Sequence, residues 1–309
     1  MSGISVGVAL GEGFGLIRRR PLAVLAWGAV VVLLQLATFA LFAPYYLTVY
    51  GALIESIAQG APFPVAALNS PDIRRMQSLQ ELFNLVQLFA VVVVYCAAFR
   101  AVLHPERSSF AYLRVGAPEL FLSILMIAGV IALFIVLLIV LIPIGLILGI
   151  AIAATHGGGL AMLVIVPIVL LVMLLVVLFV VARFALVGPM MVEDGRFHLF
   201  ESWALTRGRV GSLVLVGLGL FAMLLVADIV LLALFIAAGA AVVQSVGGLG
   251  PAMAVLHGPQ QAALAKLAPV FLIYLVVHLP LAGCVVAIAG APWARAYRDL
   301  LPDASATFA

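Results

Sequence analysis

Two ionisable side chains stand inside apolar stretches of this chain, and they are the residues best placed to do chemistry. Asp228 is the only acid in the run from Val210 to Leu256, and His278 lies two residues before Pro280 in a second such run. An ionisable group in hydrocarbon is costly and commonly marks a pathway, a relay or an ion site. If the two meet, an Asp–His pair can pass protons or hold a cation, or it can equally be one buried hydrogen bond that locks the hairpin. The remaining candidates do not assemble. His104, His156, His198 and His257 show no metal-ligand spacing such as His-x-x-x-His. Cys96 and Cys284 sit singly in apolar runs, with no Cys-x-x-Cys pair. The string Gly11-Glu-Gly13-Phe-Gly15 lacks the preceding strand a phosphate loop needs, and no Gly-x-Ser-x-Gly elbow occurs. No catalytic, cofactor or metal-binding set is expected, and the chain reads as non-enzymatic.

The elements that must position Asp228 and His278 are membrane helices. Two thirds of the residues are apolar, 9% are charged and the mean hydropathy is +1.36, whereas about a quarter of a soluble domain is charged. Leu120 to Ala182 contains no Asp, Glu, Lys or Arg. A bilayer core takes roughly 20 helical residues per crossing, and the apolar runs predict six spans near 21–43, 82–103, 119–153, 160–187, 211–243 and 268–293. Pro143, Pro167 and Pro280 mark candidate kinks, and Gly145-x-x-x-Gly149 a candidate close approach. The polar stretch from Tyr45 to Glu81 reads as a long loop broken by Pro62, Pro64 and Pro71.

Charge orients these spans. With the N-terminus inside, twelve of the fifteen Lys and Arg residues fall on the inner side, and only Arg74, Arg75 and Lys266 on the outer. Positive-inside bias of that size predicts cytoplasmic N- and C-termini. The first apolar run, Pro21 to Ala43, exceeds the roughly 7–15 residues of a signal h-region and reads as a retained anchor. Fourteen Arg against one Lys, with abundant Ala, points to a GC-rich bacterial genome and hence a bacterial cytoplasmic (inner) membrane. The net charge of +3 belongs to span ends facing anionic headgroups, so membrane lipids, and other membrane proteins, are the expected partners; nucleic acid is not.

A repeated string organises the whole. Glu12-Gly-Phe14-Gly-Leu16-Ile-Arg18, Ser108-Ser-Phe110-Ala-Tyr112-Leu-Arg114 and Glu201-Ser-Trp203-Ala-Leu205-Thr-Arg207 each set an aromatic four residues before an Arg at the mouth of an apolar run. The copies divide one membrane domain into pseudo-repeats of about 1–104, 105–198 and 199–309. The fold expected is an all-α integral membrane protein: three tandem transmembrane hairpins, each preceded by a short interfacial amphipathic helix. Phe14, Arg18, Phe110, Arg114, Trp203 and Arg207 then serve as membrane anchors, or as contacts to lipid headgroups or a partner. The even-numbered spans close on Ala98-Phe-Arg100, Ala182-Arg183-Phe184 and Ala296-Tyr-Arg298, Arg beside an aromatic each time.

The stretch from Arg183 through Glu193 to Glu201-Ser-Trp203-Ala-Leu205-Thr-Arg207-Gly208, followed by an apolar span and Ala296-Tyr-Arg-Asp-Leu300, resembles the membrane domain found beside bacterial glycerophosphodiester phosphodiesterases. It is similar as well to related families of bacterial multi-span proteins of unknown role. No segment here is long or polar enough to form the soluble phosphodiesterase barrel. The resemblance therefore implies a membrane module and leaves catalysis unsupported. The roles weighed are a scaffold that organises lipids or partner proteins, a small transporter or lipid-handling protein using Asp228 and His278, and, third, a membrane enzyme, which would need several convergent polar groups.

Overall fold

The computed structural model describes residues 4–60, 71–154, 159–248, 250–251 and 260–307, and among them every regular element is helical. Helix α1 (Val6–Arg19) turns at Arg20 into α2 (Pro21–Gln59), with proline at the first helical position where its missing N–H costs nothing. Helix α3 (Pro71–Leu103) and a 3-10 turn (Ser109–Tyr112) lead to α4 (Ala117–Ala154) and α5 (Gly159–Phe184). Two short helices follow, α6 (Val187–Asp194) and α7 (Phe200–Leu205), then α8 (Val210–Ser245) and α9 (Gln260–Thr307).

Among the described residues six segments are long and apolar enough to cross a bilayer, the make-up of an integral membrane protein: Pro21–Phe42, Ile73–Leu103, Ser109–Leu146, Pro167–Asp194, Val210–Ser245 and Leu272–Leu301. From Val210 one helix runs to Ser245, and 249 and 252–259 lie outside the described residues. Pro143, Pro167 and Pro280 lie inside continuous helices. The polar stretch from Tyr45 to Glu81 departs from expectation. Helix α2 runs on to Gln59 and α3 starts at Pro71, so only the turn residue Gly60 and 61–70, the latter outside the described residues, fall between them. Arg74, Arg75 and Glu81 ride on the polar first turns of α3.

Helix α9 is the hub, packed against α1, α2, α3 and α8. Lipid tails are as apolar as leucine, so helices in a membrane associate through close packing of small residues rather than by escaping water. The contacts of α9 follow that rule. A Cβ on Gly28 of α2 would stand 2.1 Å from the Leu279 carbonyl oxygen, and one on Gly283 would stand 2.0 Å from that of Val24. A Cβ on Gly13 of α1 would lie 2.7 Å from the Ile288 Cα. Ala97, Ala98, Ala287, Ala291 and Ala294 fill the surrounding core around buried Trp27. Gly145 and Gly149, by contrast, have nothing within 4 Å of where a side chain would begin.

The outer helices are different. No residue in the most apolar window of the third candidate span is buried, and α4 turns Val130, Ile131, Phe134 and Ile139 outward. A helix apolar on every side and unburied by protein has hydrocarbon as its solvent. Asymmetry results: α1, α2, α3 and α9 form the packed part, with α4 and much of α8 at its margin.

Candidate functional site

Each copy of the aromatic–Arg string lies beside an arginine that closes a span: Arg295 by the first, Arg100 by the second and Arg183 by the third. The side chains of the three copies divide the same way each time. The leading aromatic points out: Phe14 is 53% exposed, Phe110 85% and Trp203 44%. The apolar residue two positions later points in. Leu16 and Tyr112 are each 1% exposed, and Leu205 packs partly buried against the core formed by Leu186, Met190 and Leu213. Arg18, Arg114 and Arg207 are all exposed. In the sequence each aromatic is followed by Gly or Ala and then by a large apolar residue. The inward residue at the second position does the anchoring, and its signal is that it is large and apolar in every copy.

The local backbone differs among the copies. The first lies on α1, whose buried face carries Ala9, Glu12, Gly13 and Leu16 at helical spacing. The second is not the amphipathic helix expected. It is a four-residue turn in which Phe110, Ala111 and Tyr112 all have positive φ, between 54° and 64°. Left-handed geometry costs an L-residue roughly 1–2 kcal/mol, and three in succession cannot continue a right-handed helix. Fixed contacts hold the turn. Trp27 Nε1 donates to the Ala111 carbonyl at 2.9 Å, and the Tyr112 hydroxyl donates to the Pro105 carbonyl at 3.0 Å. The third copy is helical for six residues only, because Gly195 and Gly208 bracket it at φ 72° and 78°. Phe197 lies before that helix and meets Phe121 of α4 edge-on, centroids 6.1 Å apart.

An arginine closing each even-numbered span reaches into a copy of the string or the elements beside it. Arg100 of α3 pairs with Glu119, and its Nη1 lies 3.4 Å from the Tyr112 carbonyl. Glu119 is fully buried, and its second oxygen accepts the Gly116 N–H at 2.9 Å, so it closes the N-terminus of α4 while it neutralises Arg100. Arg183 of α5 holds the third copy. Its guanidinium carbon lies 4.6 Å above the Trp203 ring and 5.3 Å from that of Phe179, and Nη1 donates to the Trp203 carbonyl and the Thr206 hydroxyl, both at 3.3 Å. Its buried Nε finds no acceptor, leaving the ring faces to meet the charge there. Ser202 Oγ donates back to the Arg183 carbonyl at 2.8 Å, satisfying an end carbonyl of α5. In α9, Arg298 donates to the Val102 carbonyl at 3.3 Å, while Arg295, one turn earlier, lies 3.9 Å from Glu12 of the first copy. The last span therefore closes on the first string.

The two intramembrane candidates occupy different settings. His278 is buried on α9; its Nε2 lies 2.9 Å from Gln35 Oε1 of α2, and its ring stacks on Tyr274 with centroids 5.1 Å apart. One turn further along α2, Thr38 accepts a hydrogen bond from Gln87 of α3. These two polar ties join α2 to α9 and α3, through Gln35, Thr38 and Gln87. Asp228 lies exposed on α8 beside Leu225, Val226 and Ile229. No hydrogen bond among the described residues joins Asp228 to His278.

Outside the spans, His198 is clasped between Asp194, which its Nε2 meets, and Glu201, 3.1 Å from Nδ1. Partial burial alone would lower its pKa, but the two carboxylates outweigh it and hold the imidazole above its ordinary value. His104 lies 3.1 Å from Glu193; His156 and His257 lie outside the described residues. Among the described residues no three His, Cys, Asp or Glu side chains gather closely enough to hold a metal ion. A cavity of about 270 Å³ opens where Arg100, Arg107, Arg114 and His104 face Glu119 and Glu193. The chain matches no protein-family model, no curated protein and no solved structure.

Proposed function

We propose that this chain is a non-enzymatic, multi-pass module of the bacterial cytoplasmic membrane that presents its basic end, with both termini inside, to anionic lipid headgroups. One observation carries the reading: in all three strings the aromatic and the arginine are exposed, Trp203 keeping one side against Arg183, while the apolar residue between them packs inward. An exposed aromatic beside an exposed guanidinium suits the boundary where acyl chains meet phosphate. The apolar margin of α4 and α8 supplies the surface that sits in hydrocarbon, and the glycine-packed core of α2 and α9 supplies a rigid support. The arrangement serves a scaffold that gathers anionic lipid around itself, and partner proteins through that lipid.

Kinship with the membrane domain of the bacterial glycerophosphodiester phosphodiesterases forms part of this proposal. The string that carries the resemblance is the one docked on Arg183, with Ser202 and Thr206 making the polar contacts. Transport through an Asp228–His278 pair draws no comparable support, because His278 bonds Gln35 and Asp228 faces outward.

Extraction in native lipid discs tests the reading. The lipids carried with the wild-type chain should be richer in anionic species than the bulk membrane, and the R18Q/R114Q/R207Q variant should fall to the bulk composition. Wild-type discs of bulk composition would refute the proposal.

A further inference from the structure

Beside the exposed strings lies a second cavity, of about 370 Å³, walled by α1 and the Arg20 corner that follows it, by α9, and by the end of α3 with Pro105. That size falls within the roughly 300–1,000 Å³ of small-ligand sites. Its lining has two chemistries. Arg19, Arg20 and Arg298 supply three guanidinium groups against the single carboxylate of Glu12, while Leu16, Ala101 and Val102 form an apolar floor. Glu12 is already engaged, paired with Arg19 and within 3.9 Å of Arg295.

The guanidinium groups are held in place before any ligand arrives. Arg20, at the corner between α1 and α2, donates through Nη2 to the Pro105 carbonyl at 3.0 Å. Arg298 donates through Nη1 to the Val102 carbonyl at 3.3 Å. Each contact engages one nitrogen of a five-donor fork. The carbonyls lie where α3 ends, so capping that helix and aiming the arginines are one arrangement. The α1 and α9 walls are fixed against each other by the glycine contact at Gly13. Planar, pre-oriented guanidinium forks take the oxygens of a phosphate or a carboxylate in pairs, and three of them against one engaged carboxylate suit the more highly charged oxygen set of a phosphate. The apolar floor adds a demand for hydrocarbon next to that phosphate.

We infer that this cavity is a discrete site for one phosphate ester, the headgroup of an anionic phospholipid, clamped by Arg20 and Arg298 above the floor of Leu16, Ala101 and Val102. The inference rests on the reading of this end as headgroup-facing, but it concerns one specifically held molecule rather than the surrounding lipid.

The test uses the full chain in mild detergent with a few equivalents of phosphatidylglycerol or phosphatidylcholine, read by native mass spectrometry. One phosphatidylglycerol per chain should survive activation where phosphatidylcholine does not, and R20Q/R298Q should retain at least about tenfold less. Equal retention of the two lipids, or undiminished phosphatidylglycerol on R20Q/R298Q, would overturn the site. A measurement on the wild-type chain does not depend on how that variant folds: phosphatidylglycerol should shield Arg20 and Arg298, but not Arg18, from phenylglyoxal, mapped by peptide mass. Equal labelling with either lipid would also overturn it. Equal shielding by glycerol phosphate or inorganic phosphate would support the phosphate clamp and assign it to a soluble ester. The R18Q/R114Q/R207Q variant should keep its single lipid, so loss of general anionic enrichment and loss of this site are separate results.

Discussion

Gly28 and Gly283 cross with only backbone between them. A Cβ on either would stand 2.1 or 2.0 Å from a carbonyl oxygen of the opposite helix, Leu279 or Val24. No rotamer change relieves such a clash, since the obstructing atoms belong to the main chain. G28A or G283A should therefore destabilise the protein by at least about 2 kcal/mol, the upper part of the range for overpacking. G145A and G149A, which meet open space, should leave stability unchanged. Thermal unfolding of the four variants in one detergent checks the contrast.

Glu119 and Arg100 predict a second contrast. The carboxylate is fully buried and the arginine nearly so. Removing one partner strands the other charge, at a cost of roughly 3–5 kcal/mol, while replacing both with apolar groups of similar volume is often neutral. E119A should thus unfold at much lower denaturant than wild type, and R100M/E119M should recover most of the loss. Equal destabilisation of the single and double variants would contradict the pairing.

What was legible in the sequence follows from which forces leave a one-dimensional trace. Hydrocarbon demands long apolar runs, so six candidate spans could be counted, one of them the charge-poor helix from Val210 to Ser245. Polar turns at helix ends leave no such trace, which is why α3 begins at Pro71 rather than near residue 82, with Arg74 and Glu81 on it. Close helix approach was hardest to read. Any of 28 glycines could have served, and the pair at spacing four, Gly145 and Gly149, touches nothing while Gly28 and Gly283 touch across 255 residues of sequence. The string repeated three times was visible as a pattern of residue types. That its second copy is a left-handed turn, and that Leu16, Tyr112 and Leu205 do the anchoring, depends on contacts with Trp27, Pro105 and the α8 core that no local spacing encodes.

His198 predicts a pH dependence. Its pKa is raised by Asp194 and Glu201, so the clasp adds stability in full below the unfolded value near 6.5 and loses it as pH rises through the higher folded value. Wild type should exceed H198Q in thermal stability at pH 6, and the difference should vanish in mildly alkaline buffer. A difference that grows with pH would show the opposite sign.

Arg183 predicts a chemical distinction between two cations. Lysine keeps the charge but cannot present a planar fork to the Trp203 carbonyl and Thr206 while stacking on the ring. R183K should lose about 1–2 kcal/mol of stability and loosen α7, seen as faster amide exchange from Ser202 to Thr206. Unchanged exchange there would remove Arg183 as the clamp of the third string.

We propose that the exposed aromatic–Arg pairs sit against anionic headgroups, and Trp203 is the reporter. It is 44% exposed beside Arg207, whereas Trp27 is enclosed and Trp293 half-buried, so the Trp203 signal is read as the difference from W203F. In vesicles whose acyl chains are brominated near the glycerol, Trp203 fluorescence should be quenched more by brominated phosphatidylglycerol than by brominated phosphatidylcholine at equal mole fraction. R18Q/R114Q/R207Q should erase the difference. Equal quenching of the wild-type protein by the two lipids would contradict the claim.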